Sequence, residues 1–356
     1  DADGHLTSLD NAGTANVRAG ANRIKVQEFL IEWAINPDSA PFCALLGEIG
    51  IGKTTNCKML AVTLSERRES DRKLPQVIYI DLRDVQLTKE EQENIPPLHS
   101  ILDRSLQKNW QSGASKLSFD HQTIFRFVQH ENALIIFDGL DEVLVHLKST
   151  QGKAFIRELW RMLPPAVIDH DKKQPDGDSK AAKRTGKMLL SCRSHYFRDV
   201  WQQNSFLTGE GRDDIDAKRY QACILLPFTD EQIRAYLDKN FPHNDNQRVL
   251  DLIKTIHNLP EMAQRPVTLQ MIVRHIPELE QKQLRGETVR GVTLYHMMTQ
   301  EWLHRDDGKH QFKIDHKPQL MEQLAAAMWQ SGQKQWTVDM LENWLTDTLL
   351  ANPRWQ

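Results

Sequence analysis

No stretch of 18 consecutive apolar residues occurs in the 356-residue sequence, so no segment reads as a membrane-spanning helix. A signal-peptide pattern is missing as well. Charge of one sign is not in excess: 45 Lys and Arg face 48 Asp and Glu, for a formal net charge of -3. That balance does not indicate a basic groove dedicated to nucleic acid. Cysteines are few, at positions 43, 57, 192 and 223, and their spacing fits neither a zinc site nor a CxxC pair. Cys43, Cys192 and Cys223 lie in apolar, strand-like runs. The reading is of reduced, buried thiols in a cytoplasmic protein. The 14 histidines form no H-E-x-x-H or similar pairing, so they suggest no metal site.

Hydrophobic residues make up 40% of the chain, enough for a sizeable core in two or three domains. The chain opens on Asp1, not Met, and residues 1–20 are polar and small. This start reads as the interior of a longer polypeptide or as a trimmed end.

Residues 21–35 place Ile24, Val26, Phe29, Leu30 and Trp33 at helical spacing. Short apolar runs follow at 42–46, 77–82, 133–138, 188–192 and 222–226, each expected to be a buried strand. Helical periodicity falls between them, at 53–67, 97–108, 119–131 and 152–163. Strands alternating with helices imply a parallel sheet with right-handed crossovers, an α/β fold. Residues 169–187 are polar, contain Pro and Gly and have no apolar period, so they read as a surface loop. After Leu226 the pattern changes. Thr229-Asp230-Glu231-Gln232 is a capping box. Helical spacing then runs through 230–240, 245–258, 266–275, 292–304, 317–330 and 338–350. The expected division is a lead-in and first helix over 1–40, a nucleotide-binding domain over 41–228 and helical regions beyond.

Gly47-Glu48-Ile49-Gly50-Ile51-Gly52-Lys53-Thr54 fits G-x-x-x-x-G-K-[ST], between an apolar strand and a helix. Its glycines let backbone N–H groups converge on phosphates. Lys53 is expected against the β and γ phosphates and Thr54 on Mg²⁺. The start of the helix turns its positive end to the same anions. The chain lacks an [NT]-K-x-D pattern, and Thr88-Lys89-Glu90 does not supply one, which favours ATP over GTP. At 133–138 an apolar strand ends in Asp138-Gly139-Leu140-Asp141-Glu142. Asp138 is placed to take a water of the metal shell. Asp141 and Glu142 are placed to orient the attacking water and to accept its proton.

These motifs resemble the NACHT group of STAND NTPases, the signal-transduction ATPases that include NOD-like receptors. The resemblance rests on the D-G-h-D-E cluster and on Gly52-Lys53-Thr54-Thr55. Leu189-Leu190-Ser191-Cys192-Arg193 looks like the sensor 1 segment. Leu226 to Ile233 looks like the opening of a helical domain. Arg265-Pro266-Val267-Thr268-Leu269 resembles its proline motif. Leu294-Tyr295 through Trp302-Leu303 resembles the start of a winged helix. The resemblance implies a helical domain over 229–287 and a winged-helix-like domain over 288–356. It implies that Arg193 senses the γ phosphate and that Pro266 packs on adenine. It also implies an ATP/ADP switch that hydrolyses slowly and forms a homo-oligomer when active, in immune or antiphage signalling, with effector and sensor regions outside these residues. The alternatives are a fast AAA-like motor and a nucleotide-binding scaffold without useful turnover. Trp302, Trp329, Trp336, Trp344 and Trp355 crowd the C-terminal third, either as helix-packing anchors or as an interface.

Overall fold

The structure is a computed structural model. It describes residues 5–8, 24–85, 95–110, 120–147, 149–163, 186–194, 220–241, 245–256, 259–287, 289–305, 315–333 and 336–351. Most of the loop read at 169–187, the Thr88-Lys89-Glu90 segment, the Trp302 side chain and Trp355 lie outside the described residues.

Seven strands form one sheet in the order β2-β1-β7-β3-β6-β5-β4. They are β1 (His5–Ser8), β2 (Ile24–Lys25), β3 (Phe42–Leu46), β4 (Gln76–Asp81), β5 (Ala133–Asp138), β6 (Lys187–Cys192) and β7 (Tyr220–Leu225). The pairs β3·β7, β3·β6, β6·β5 and β5·β4 are all parallel, as the alternating pattern predicts. Two short antiparallel edge strands, β1 and β2, extend the sheet beyond β7. Residues 5–8 therefore lie in the sheet, within a stretch whose composition suggests only a lead-in.

Side chains alternate across β3 and divide the core into two layers. Phe42, Ala44 and Leu46 face the layer built with α3 (Leu98–Trp110), α4 (His121–His130) and α6 (Ser149–Trp160). Cys43 and Leu45 face the layer built with α1 (Val26–Ile35) and α2 (Lys53–Ser70). Central strands β3, β5 and β6 are buried along their whole length, which is why they read as largely apolar runs, with Asp138, Lys187 and Ser191 the buried polar exceptions. All four cysteines are free and buried, as expected.

A one-turn helix, α5 (Asp141–Leu144), follows the acidic cluster. Beyond the sheet the chain is helical: α7 (Asp230–Asn240), α8 (Asn246–Thr255), α9 (Leu259–Ala263), α10 (Pro266–Leu284), α11 (Gly291–Arg305), α12 (His316–Ser331) and α13 (Val338–Ala351). The α7 capping box is formed on both sides. Thr229 Oγ1 accepts from the Gln232 N–H at 3.2 Å, and Gln232 Oε1 accepts from the Thr229 N–H at 2.9 Å.

Compact units do not divide where the periodicity changes. One comprises residues 1–253 and 260–273, so α7 and the first turns of α10 belong with the sheet. The other comprises 254–259 and 274–356. Within this second unit, Leu279, Leu294 and Met298 are buried and Arg274 pairs with Glu301. Helix α12 buries none of its residues. Trp329 on it is 88% exposed and is not a packing anchor, whereas Trp336 and Trp344 pack edge-on to each other.

Candidate functional site: a phosphate loop facing an acidic turn

Strand order builds the site. β6 lies between the strand that feeds the glycine-rich loop and the strand that ends in Asp138. Its C-terminal end therefore bonds to both loops. The Cys192 carbonyl accepts from the Gly47 N–H at 3.3 Å. The Ser191 carbonyl accepts from the Leu140 N–H at 2.9 Å, and Ser191 Oγ accepts from the Gly139 N–H at 2.9 Å.

The loop from Gly47 to Gly52 links β3 to α2. Gly52 caps the helix with φ +101°, a left-handed conformation that glycine adopts without strain, and no side chain caps the helix start. The first N–H groups of α2 have no partner within the helix, an arrangement suited to receiving an anion. Lys53 Nζ donates to the carbonyls of Gly47 at 2.8 Å and Glu48 at 3.0 Å, so the ammonium closes over its own loop. Burial lowers the Lys53 pKa and the charge of Asp141 opposes that shift. Ile51 is buried in the α1–α2 layer, Thr54 is half-buried, and Ile49 and Thr55 are exposed. Glu48 accepts from Ser194 Oγ at 2.8 Å, which ties the loop to the segment after β6.

The first turns of α10 reach this loop. The Val267 N–H donates to the Gly50 carbonyl at 3.3 Å. A Cβ at Gly52 would lie 3.9 Å from Pro266 Cγ, and one at Gly50 would lie 3.4 Å from Val267 Cβ. Pro266 thus sits beside the phosphate loop.

Asp138 is fully buried at the end of β5. Its Oδ1 accepts from Ser191 Oγ, and its Oδ2 accepts from the Tyr79 hydroxyl at 2.8 Å and from Arg83 Nη2 at 3.4 Å. Burial, and then the Asp138 charge, push the Tyr79 phenol well above its usual range. Asp81, at the end of β4, is paired in register with Asp138. Arg83 Nε donates to Asp81 Oδ1 at 2.8 Å. Burial alone would raise the Asp81 carboxyl, but Arg83 holds it below the usual range. Gly139 turns the chain at φ +86°. Asp141 is buried and Glu142 is 43% exposed at the side chain. Arg193 meets both, with Nε 2.7 Å from Asp141 Oδ2 and Nη2 4.0 Å from Glu142 Oε1.

A carboxylate offers about four lone-pair positions, and three of those on Asp138 are filled. One remains, which suits contact with a hydrated cation more than direct ligation. Thr54, Asp138 and Asp81 are hard oxygen donors, the type that Mg²⁺ takes. The expected site residues Gly47 to Thr55, Asp138, Asp141, Glu142, Arg193 and Pro266 all lie around the C-terminal edge of the parallel strands. Tyr79, Asp81, Arg83 and Ser194 join them without having been marked by any motif, and Ser191, within the segment that resembles sensor 1, joins them as a partner of Asp138. The one available hint was the charged run Asp81-Leu82-Arg83-Asp84 directly after a strand.

A glycine-rich loop between a buried strand and a helix, facing a buried aspartate two strands away, defines a P-loop nucleoside triphosphatase domain. Residues 42–169 match the family model for the NACHT domain. That match spans both the glycine-rich loop and the acidic turn.

No curated protein matches the chain. Solved structures similar to it include the Aeropyrum pernix ORC2 protein in ADPNP-ADP complexes, at 13% identity and a TM-score of 0.41 over 82% of this chain and 71% of that one. A Walker-type ATPase of Pyrococcus abyssi is 14% identical, with a TM-score of 0.39 over 73% of each chain. A STAND protein with a tetratricopeptide repeat sensor from Pyrococcus horikoshii is 12% identical, with a TM-score of 0.34 over 76% of this chain and 31% of that one.

Proposed function

We propose that this protein is an ATP-dependent molecular switch of the STAND type. The observation that carries this reading is the bond from the Val267 N–H to the Gly50 carbonyl, which joins the helix opening at Pro266 to the phosphate loop. A nucleotide shifts a conformational equilibrium only where it binds the two arrangements unequally. Contact between α10 and the loop gives it a means of doing so. Any movement of Gly50 around phosphates strains or releases this contact.

In this reading the loop N–H groups and Lys53 hold the β and γ phosphates, and Pro266 packs on adenine. Thr54 and Asp138 would hold Mg²⁺, which when bound would supply charge to offset that of the phosphate oxygens. Glu142, the more exposed of the two turn carboxylates, takes the proton of the attacking water. Asp141 orients Arg193, which senses the γ phosphate. Regions 229–287 and 288–356 are read as helical and winged-helix-like domains that rearrange on exchange of ADP for ATP and expose an oligomerisation surface. The setting is cytoplasmic immune or antiphage signalling, with effector and sensor regions outside this chain. The NACHT match over residues 42–169 supports this reading.

Steady-state ATP turnover by the purified protein tests the proposal. A switch turns over well below about one ATP per second, slower than the common range for enzymes. Turnover of many per second without a trigger would identify a motor instead.

A further inference from the structure

Asp81 and Asp138 are in-register neighbours at the ends of β4 and β5. Adjacent strands lie about 5 Å apart, so the two carboxylates repel strongly unless a cation stands with them. Arg83 is that cation. It donates from Nε to Asp81 Oδ1 at 2.8 Å and pairs through Nη2 with Asp81 Oδ2, while the same Nη2 reaches Asp138 Oδ2 at 3.4 Å. Burial differs along the network. The Asp138 side chain is 1% exposed and that of Asp81 16%, whereas Arg83 keeps 41% exposure. The stem of Arg83 crosses the acidic turn. A Cβ at Gly139 would lie 3.4 Å from Arg83 Cγ and 3.6 Å from Glu142 Cγ. The turn therefore leaves just the space that Arg83 needs to span the two aspartates beside Glu142.

We infer that Arg83 is the resident counter-cation of the Asp81–Asp138 pair and a positioning residue for Asp138, and that it sets how strongly nucleotide binding depends on Mg²⁺. This rests on the reading that Asp138 serves the metal. The guanidinium already supplies part of the charge that a divalent cation brings to this edge of the sheet. Two cations beside one carboxylate pair repel each other. Removing Arg83 leaves the pair with less compensating charge and a stronger pull on Mg²⁺. Removing one carboxylate while Arg83 stays does the opposite. A residue that only braced the fold would not move metal dependence in opposite directions with the sign of the charge removed.

The test is calorimetric titration with ADP, in excess EDTA and in excess MgCl₂, on the whole chain. Its readout is the ratio of the two dissociation constants, not turnover. Arg83→Gln is expected to raise the ratio by roughly three- to tenfold over wild type, and Asp81→Asn to lower it by a similar factor. Arg83→Lys keeps the charge and is expected to stay within about twofold. An unchanged or lower ratio in Arg83→Gln overturns the inference. Should Arg83→Gln fail to fold, as shown by its melting curve, Asp81→Asn decides: an unchanged or raised ratio overturns the inference equally. Failure of the wild type to bind ADP under either condition would instead sink the nucleotide reading on which the inference rests.

Discussion

Arg193 Nε lies 2.7 Å from Asp141 Oδ2, joining the end of β6 to the acidic turn after β5. The residue expected to sense the γ phosphate is thus held by a carboxylate of the same site, with Glu142 within 4.0 Å of its other arm. Asp141 is 7% exposed and Arg193 35%, so the pair is partly screened. Its coupling is expected to be about 1 kcal/mol, measured by a double-mutant cycle of Arg193→Ala and Asp141→Asn on thermal or urea stability. Arg193→Ala is also expected to weaken discrimination between ATP and ADP. Equal ATP and ADP affinities in both wild type and variant would remove Arg193 from the sensing role.

Lys53 donates to two carbonyls of its own loop and stands within the field of Asp141. Lys53→Ala removes the cation from the loop proposed to hold the phosphates. ATP and ADP affinity is expected to fall at least about a hundredfold, a loss of the size of a charged hydrogen bond in a partly buried site. Titration of the variant with ADP checks this. Wild-type binding would overturn the P-loop assignment itself.

Gly139 combines a left-handed φ of +86° with the Arg83 stem 3.4 Å from where a Cβ would stand. Gly139→Ala is expected to destabilise the protein by about 1–2 kcal/mol, because an L-residue is strained there. Urea unfolding measures the cost. The same substitution is expected to reduce ATP hydrolysis, since both Arg83 and Glu142 border the added methyl.

Lys187 lies at the opposite end of β6, 4% exposed, where it donates to the Trp33 and Asn36 carbonyls and to Ser39 Oγ. Burial lowers its pKa from the usual 10.5 to about 8. Between these values the unfolded chain binds more protons than the folded one, so this residue makes stability rise with pH from about 8 to 10.5. Lys187→Met is expected to flatten that slope while lowering stability overall, because three acceptors lose their donor. Stability measured by urea unfolding across this pH range checks the sign. A slope unchanged by the substitution would show that Lys187 is not its source.

Much of the fold was legible because the central strands are buried on both faces and so read as largely apolar runs, as 42–46 and 133–138 do. Most helices of the C-terminal half were legible from periodicity, and the start of α7 from its capping box, but the five-residue α9 was too short to register and α10 continues past the expected end at 275, through Pro277, to Leu284. β1 and β2 were not, since four and two residues at a sheet edge carry too little pattern to separate from a linker. In the site, motifs marked the expected ligand-contacting residues but gave no sign of which groups would bond to Asp138. Tyr79 and Arg83 stand 59 and 55 positions from Asp138, and Ser191 stands 53 away. Only the strand order brings them together, and no local spacing records that order. Trp329 shows the converse limit. Its helix repeats apolar residues at helical spacing, yet none of them is buried.

The central claim is that bound nucleotide selects between two arrangements of this chain. Its most direct test is the solution mass of Glu142→Gln with ADP and with ATP, both with Mg²⁺. This variant keeps the size of the side chain and one acceptor oxygen but loses the proposed base, so bound ATP is expected to persist. The account predicts a single-chain mass with ADP and a larger assembly with ATP. One mass under both conditions, with ATP demonstrably bound, would contradict it.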